Sequence, residues 1–335
     1  MKVLPTVAIL IILFLLGSEA RSELHKVREV HYQMGTLLDI TLYYSDPEEG
    51  KKLLRRSVQE THRLEGILSH YDPQSSVSIL NRQAGEGRVK IALELFHLLA
   101  TAIQFSARTA GYFDVTVGPL VDLWQHAGEK GRLPGPELLS QTLNLVGSQQ
   151  LKLYKTGEGK LLKRGMKIDL GGIGKGFAVD SIVEIFHDAG VKSALINFGG
   201  SSIYALGVPP GEKGWTIGIK GAGEGIVGAI RLRNQGLSTS GSMGRYWEIG
   251  GRRYGHLINP KSGTPVTELR SATAIATTAT EAEALTKPLV LLGKQGMALT
   301  KNFPQTESLL ISEDGEIHLS SGFASTTHFE RLKNR

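Results

Sequence analysis

The sequence predicts an α+β protein, and three observations carry that prediction. Segments with 3.6-residue apolar spacing fall mainly before residue 150. Short β-branched runs follow after it, interrupted by two helical patterns and mostly parted by glycine. Glycine itself is in excess, with 41 in 335 residues, about 12% against roughly 7% on average. The excess belongs in turns and in places where backbone approaches something closely.

In chain order, 36–44 alternates and carries β-branched and aromatic residues, so it reads as a strand. A helix follows over 47–68, with Leu54, Val58, Thr61, Leu64 and Leu68 along one face. The polar stretch His70-Tyr71-Asp72-Pro73-Gln74-Ser75-Ser76 interrupts before Asn81. A second helix over 91–107 is apolar most of the way round and so expected to be buried. Gly111 stops it, and 113–119 is expected as a loop feeding a short apolar segment through Trp124. Residues 126–135 read as a flexible connector and 136–146 as a helix. Strands are expected at 151–154, 160–170, 193–197, 215–220, 227–232, 245–249 and 254–258, with helices at 174–188 and 281–292. No repeat or low-complexity tract divides the chain, so 21–335 is expected to act as one domain.

Residues 1–20 are a separate object. Lys2 supplies a positive start, 7–16 is an unbroken apolar run, and Ser18-Glu19-Ala20 offers small residues for cleavage. That pattern predicts a secretory signal peptide, or an uncleaved anchor, and with it a periplasmic location. The run is too short to span ~30 Å of hydrocarbon. There is no Cys anywhere, which excludes disulfides, iron–sulfur clusters, thiolate zinc sites and a Cys nucleophile. A net charge of +6 is a mild bias. Its basic clusters lack interleaved aromatics, so nucleic acid is not the expected partner, whereas an anionic small molecule would profit from the field.

The densest chemical segment is Asp169-Leu170-Gly171-Gly172-Ile173-Gly174-Lys175-Gly176, read as strand, glycine turn and helix. Bare amides at a helix start attract anions, and Lys175 adds a point charge. The spacing misses both the dinucleotide G-x-G-x-x-G pattern and the P-loop, which leaves either another kind of phosphate cradle or a tight packing turn. Asn197-Phe198-Gly199-Gly200 and Ser238-Thr239-Ser240-Gly241 are similar backbone-permissive stretches. His256 sits where a strand enters the Asn259-Pro260 turn, as a bystander or as a proton acceptor. Thr280 is the expected N-cap of the last long helix, with Glu283 at the capping-box position.

Taken in order, these pieces resemble the ApbE family, the FAD:protein FMN transferases. Met34-Gly35-Thr36, the 69–81 stretch, Gly111-Tyr112-Phe113-Asp114 with Val117-Gly118-Pro119-Leu120 and Trp124, the 169–176 turn, Asn197-Phe198-Gly199-Gly200, Ser238-Thr239-Ser240-Gly241, His256-Leu257-Ile258-Asn259-Pro260 and the 281–292 helix carry the likeness. It spans about residues 30–320. The resemblance implies a T-fold-like mixed sheet with flanking helices, in an exported enzyme that binds FAD and Mg²⁺. Such an enzyme moves FMN through a phosphoester onto a Thr or Ser of a partner redox protein and releases AMP. By motif, FAD contacts fall on Met34, Tyr71, Tyr112, Phe113, Asp114, Asp169, Lys175 and Ile258. Metal ligands fall on the Gly172 carbonyl, Glu283, Thr286 and position 287. On this reading Tyr71 and Phe113 stack the flavin, Lys175 and the 171–176 amides hold the phosphates, and His256 is the general base, with Asp114 or Asp169 orienting it or the substrate.

The chain departs from the family where charge matters. The family's Ala-Asp-Ala-Leu-Ser-Thr is here Ala282-Glu283-Ala284-Leu285-Thr286-Lys287. Asn259 replaces an Asp, and Ser201 stands where an Asp is common. Lys287 cannot ligate a cation while charged, so it reads as a charge in the metal's stead. Two other outcomes stay open at this point: an FAD-binding protein that has lost transfer, and an FAD pyrophosphatase using water.

Overall fold

Eight antiparallel strands lie side by side in the order in which the chain makes them. They are His25–Gln33, Thr36–Tyr44, Ser193–Phe198, Ser202–Leu206, Gln235–Gly241, Ser271–Ala276, Glu307–Ile311 and Ile317–Leu319. This computed structural model describes residues 23–221, 225–242, 244–268 and 270–332, so the expected signal peptide at 1–20 lies outside the described residues. Among the described residues no helix is long and apolar enough to cross a membrane.

The sheet is covered on both faces, and the alternation of its side chains shows how. Tyr204, Leu206, Ala272 and Ala274 point into a core shared with helices Pro47–Leu68, Leu93–Arg108, Gly174–Asp188 and Ala279–Leu292. Ile203, Ala205 and Ile275 point the other way, against Trp215, Ile217, Ile219, Ile230 and Leu232. Those residues come from a second, three-stranded antiparallel sheet of Trp215–Lys220, Ile226–Leu232 and Glu330–Arg331. The α+β class follows from this layering. The first hairpin turns through Met34 and Gly35, both left-handed at φ 45° and 75°, the two-residue geometry that suits strand twist.

Several expected elements change. The first half of the 126–135 connector, 126–130, is instead the end of a helix, Gly118–Lys130, closed by Gly131 in the left-handed conformation. It is held because Leu120, Trp124 and Ala127 form a third apolar cluster with Ile249 and Ile258. That helix also starts inside the expected 113–119 loop. The 160–170 strand ends at Leu161, within Glu158–Leu161, and beyond it only Lys167 pairs, in a parallel bridge to Val117. The 254–258 strand is Arg252–Gly255, and Ile258 makes a single bridge to Pro265.

Candidate active site

Helix Gly174–Asp188 begins without a side-chain cap, leaving its first amides to be satisfied from elsewhere. Glu283, on helix Ala279–Leu292, supplies one partner. Its Oε2 accepts from the Gly176 N–H at 2.6 Å, and its Oε1 pairs with Lys175 Nζ at 2.7 Å. The approach is possible because residue 176 is glycine: a Cβ there would lie 2.5 Å from the Ala279 carbonyl oxygen. Glu283 is 2% exposed. Burial opposes its charge, but the Lys175 and Lys287 ammoniums outweigh burial and hold its carboxyl below the usual range.

Thr280 is therefore not the cap, and Glu283 is not in a capping box. The cap is Thr278, whose hydroxyl accepts from Glu281 N–H. Asp180 completes it, accepting from the Ala279 N–H at 2.8 Å and the Thr280 N–H at 2.9 Å. Burial pushes the Asp180 carboxyl up to about 6 against these bonds.

One turn beyond Glu283, Lys287 turns its ammonium inward. Its Nζ donates to Ser240 Oγ at 3.2 Å, to the Glu283 carbonyl at 3.0 Å and to Thr286 Oγ1 at 3.0 Å. The Thr286 hydroxyl donates in turn to the Glu283 carbonyl at 2.8 Å. The Lys287 stem runs beside Gly172, where a Cβ would lie 3.2 Å from its Cε and 3.6 Å from the Phe113 ring. Burial lowers the Lys287 amine to about 8; Glu283 resists this and Lys175 adds to it.

These residues do not fit a divalent metal. Both Glu283 carboxylate oxygens are engaged, and Thr286 already receives Lys287. Among the described residues no group of three or more His, Asp or Glu gathers as a metal site. A divalent ion about 4 Å from the Lys287 ammonium would meet roughly 8 kcal/mol of repulsion at an effective dielectric of about 20, before relaxation. Of the expected ligands, the Glu283 carbonyl and Thr286 Oγ1 accept from the Lys287 ammonium, and Gly172 lies beside the lysine stem.

The other expected contacts divide. Asp114 accepts four hydrogen bonds, from the Thr116 N–H and hydroxyl at 2.8 and 2.6 Å, the Ser148 N–H at 2.7 Å and the Ser106 hydroxyl at 3.2 Å. It staples its loop to the 148 turn and is not poised to orient a base. Asp169 gives one oxygen to the Gly171 N–H at 2.7 Å, shaping the glycine turn. Phe113 is 3% exposed and packs its ring in the core, whereas Tyr71 is 86% exposed, its ring 4.0 Å from that of His70. So of the two expected stacking rings, Tyr71 alone presents a face. Tyr112 carries the Lys261 ammonium 4.8 Å above its ring, which ties the 111–114 turn to the loop after His256. A cavity of about 450 Å³ opens there, lined by Gly111, Asp114, Gly147, Pro260 and Lys261. Ile258 is buried in the third cluster and anchors that loop. Met34 is partly buried against the main core from the first hairpin turn.

Helix Gly118–Lys130 holds the segments on either side of His256. Trp124 donates to the Gly263 carbonyl at 2.8 Å and packs on Tyr254. His256 Nδ1 lies 3.0 Å from the Arg245 carbonyl. A carbonyl only accepts, so Nδ1 carries the proton and Nε2 keeps its lone pair. Burial lowers the imidazole below its ordinary 6.5. The Arg245 carbonyl opposes this, and the charges of Lys287, Arg245 and Lys175 reinforce it. The structure thus brings His256, Lys175, Glu283 and Lys287 into one electrostatic neighbourhood. Ser240 was missed as a partner in it, and Asp180 as the residue that caps helix Ala279–Leu292. Asp180 follows Lys175 by five positions on its helix, the only local hint of its place.

A model of the ApbE family matches residues 34–310, and the chain belongs to that family. It is 30% identical over 323 residues to the FAD:protein FMN transferase of Treponema pallidum, across 90% of this chain and 89% of that one. The crystal structure of the ApbE protein of Thermotoga maritima superposes with a TM-score of 0.81 at 29% identity, covering 90% of this chain and 99% of that one. The apo flavinyl transferase ApbE of Pseudomonas stutzeri gives 0.80 at 25% identity, covering 91% and 97%.

Proposed function

We propose that this chain is an FAD:protein FMN transferase that acts on an exported redox protein. The observation that carries the reading is a cluster of two ammoniums and one buried carboxylate: Lys175 pairs with the Glu283 carboxylate, and Lys287 donates to the Glu283 main-chain carbonyl. One positive charge is left over beside a glycine-bared helix start, the arrangement that suits a diphosphate. FAD is the donor substrate. A Thr or Ser hydroxyl of the acceptor attacks the phosphorus on the FMN side, and His256 Nε2 takes the hydroxyl proton. The new P–O bond forms as the bridging P–O bond breaks, and AMP leaves with the bridging oxygen. Lys175 and the amides of the 171–176 turn offset the charge that gathers on the phosphates. Tyr71 is the exposed ring available to the flavin. Export is supported by the leader-like residues 1–20 and by the absence of Cys.

The test is incubation with FAD and a target domain carrying a Thr or Ser site, read by in-gel flavin fluorescence and AMP chromatography. Transfer gives a fluorescent acceptor band and equimolar AMP. AMP without an acceptor band identifies a pyrophosphatase instead. No calorimetric heat with FAD sinks both readings.

A further inference from the structure

A lysine on a helix normally runs its stem along the surface and keeps its ammonium in water. Lys287 does the reverse. Its Nζ sits among three neutral oxygens, Ser240 Oγ on strand Gln235–Gly241 and the Glu283 carbonyl and Thr286 Oγ1 on its own helix, all at 3.0–3.2 Å. A small ring of hydroxyl and carbonyl oxygens is how a protein holds a cation. The carboxylate that would complete a divalent site is turned away and paired with Lys175. Gly172 admits the stem, because a Cβ there would crowd Lys287 Cε at 3.2 Å.

We propose that the Lys287 ammonium is a built-in cation standing where a divalent metal would otherwise sit, so that this chain holds a diphosphate ligand without a metal ion. The ligand, FAD, is taken from the transferase reading above. The ammonium cannot dissociate, so anion binding in this pocket does not depend on divalent ion supply. Its charge is one unit rather than two, and because Glu283 offsets Lys175 it is the one net positive charge of the three groups.

The test uses the full chain stripped of metal. Free Mn²⁺ is followed by electron paramagnetic resonance, with and without FAD, and FAD affinity is measured by fluorescence in EDTA and in MgCl₂. The wild type should leave the Mn²⁺ signal at its buffer amplitude, and its FAD affinity should agree within about twofold between the two buffers. Lys287→Met, checked for folding by circular dichroism, should weaken FAD binding in EDTA about tenfold or more. Lys287→Thr combined with Glu283→Asp should take up Mn²⁺ and bind FAD about tenfold more tightly with Mg²⁺ than without. Stoichiometric Mn²⁺ uptake by the wild type overturns the proposal, as does a folded Lys287→Met protein with undiminished affinity in EDTA. The Mn²⁺ measurement decides the matter even if a variant fails to fold. Failure of the wild type to bind FAD in either buffer removes the transferase reading and leaves the Mn²⁺ result to judge the cation.

Discussion

Replacing Glu283 by Gln tests the centre of the site. The carboxylate is 2% exposed and takes two charge-assisted or amide bonds, at 2.7 Å from Lys175 and 2.6 Å from Gly176 N–H. An amide of the same shape keeps one accepting oxygen, but its NH₂ then faces either the ammonium or the Gly176 N–H, donor against donor. It also leaves Lys175 and Lys287 without a counter-charge. Breaking a buried pair by removing one partner costs about 3–5 kcal/mol. With an unfolding entropy of roughly 0.65 kcal/mol/K for a chain of this length, the melting temperature should fall by about 5–8 °C. Urea titration at fixed pH, followed by tryptophan fluorescence, measures the loss directly. The same change adds one net positive charge to the pocket, so FAD binding in the folded variant should be retained or tightened. A Glu283→Gln protein within about 1 kcal/mol of wild type would refute the account of a buried, charge-balanced centre.

Three further outcomes follow from other residues. The acid limb of the transfer rate should have its midpoint below 6.5, because burial and the nearby Lys287, Arg245 and Lys175 charges release the His256 proton early; a midpoint at or above 6.5, or an NMR titration of the His256 ring giving the same, contradicts this. Asp180 holds its proton more tightly folded than unfolded, its carboxyl rising from an ordinary 3.8 to about 6. Its contribution to stability is therefore full below about pH 4, declines as pH rises to about 6 and is flat beyond, by an amount of order 3 kcal/mol. Asp180→Asn should remove that slope, and parallel urea curves of the two proteins from pH 4 to 7 would show the idea wrong. Met34 sits at φ 45° in the first hairpin turn, so Met34→Asn, which creates an Asn-Gly turn, should raise stability by about 1 kcal/mol; an unchanged urea midpoint would remove strain as the explanation.

Helices with one clear apolar face were legible. Pro47–Leu68 and Gly174–Asp188 run where the spacing puts them. Two of the strands that escaped reading are covered on both sides. Ser271–Ala276 is Ser-Ala-Thr-Ala-Ile-Ala, buried at every position, and Ser202–Leu206 likewise. With no wet face there is no alternation to detect. The last long helix shows a different limit. Both Thr278 with Glu281 and Thr280 with Glu283 fit the capping-box spacing, and the sequence offers no means to choose. Asp180, far away in the chain, chooses by taking the Ala279 and Thr280 amides. The same holds for the site. Lys175 and His256 stand in recognisable local settings, and Lys287 is conspicuous as a departure. That Glu283 answers to Lys175 rather than to its own helix depends on a close crossing at Gly176 that no local pattern encodes.

The order of strands in the main sheet bears on how the polypeptide acquires its shape. The opening hairpin is complete by Tyr44, yet its next neighbour, Ser193–Phe198, follows only after a long excursion through helices. At synthesis rates of about 5–20 residues per second, the hairpin would wait roughly ten to thirty seconds for that neighbour to emerge. Through that interval Leu38, Ile40 and Leu42, wholly enclosed in the finished molecule, have little to rest against. A nascent chain with such an unpaired, oily edge invites mispairing, which makes its early handling by holding factors as consequential for yield as anything in the mature site.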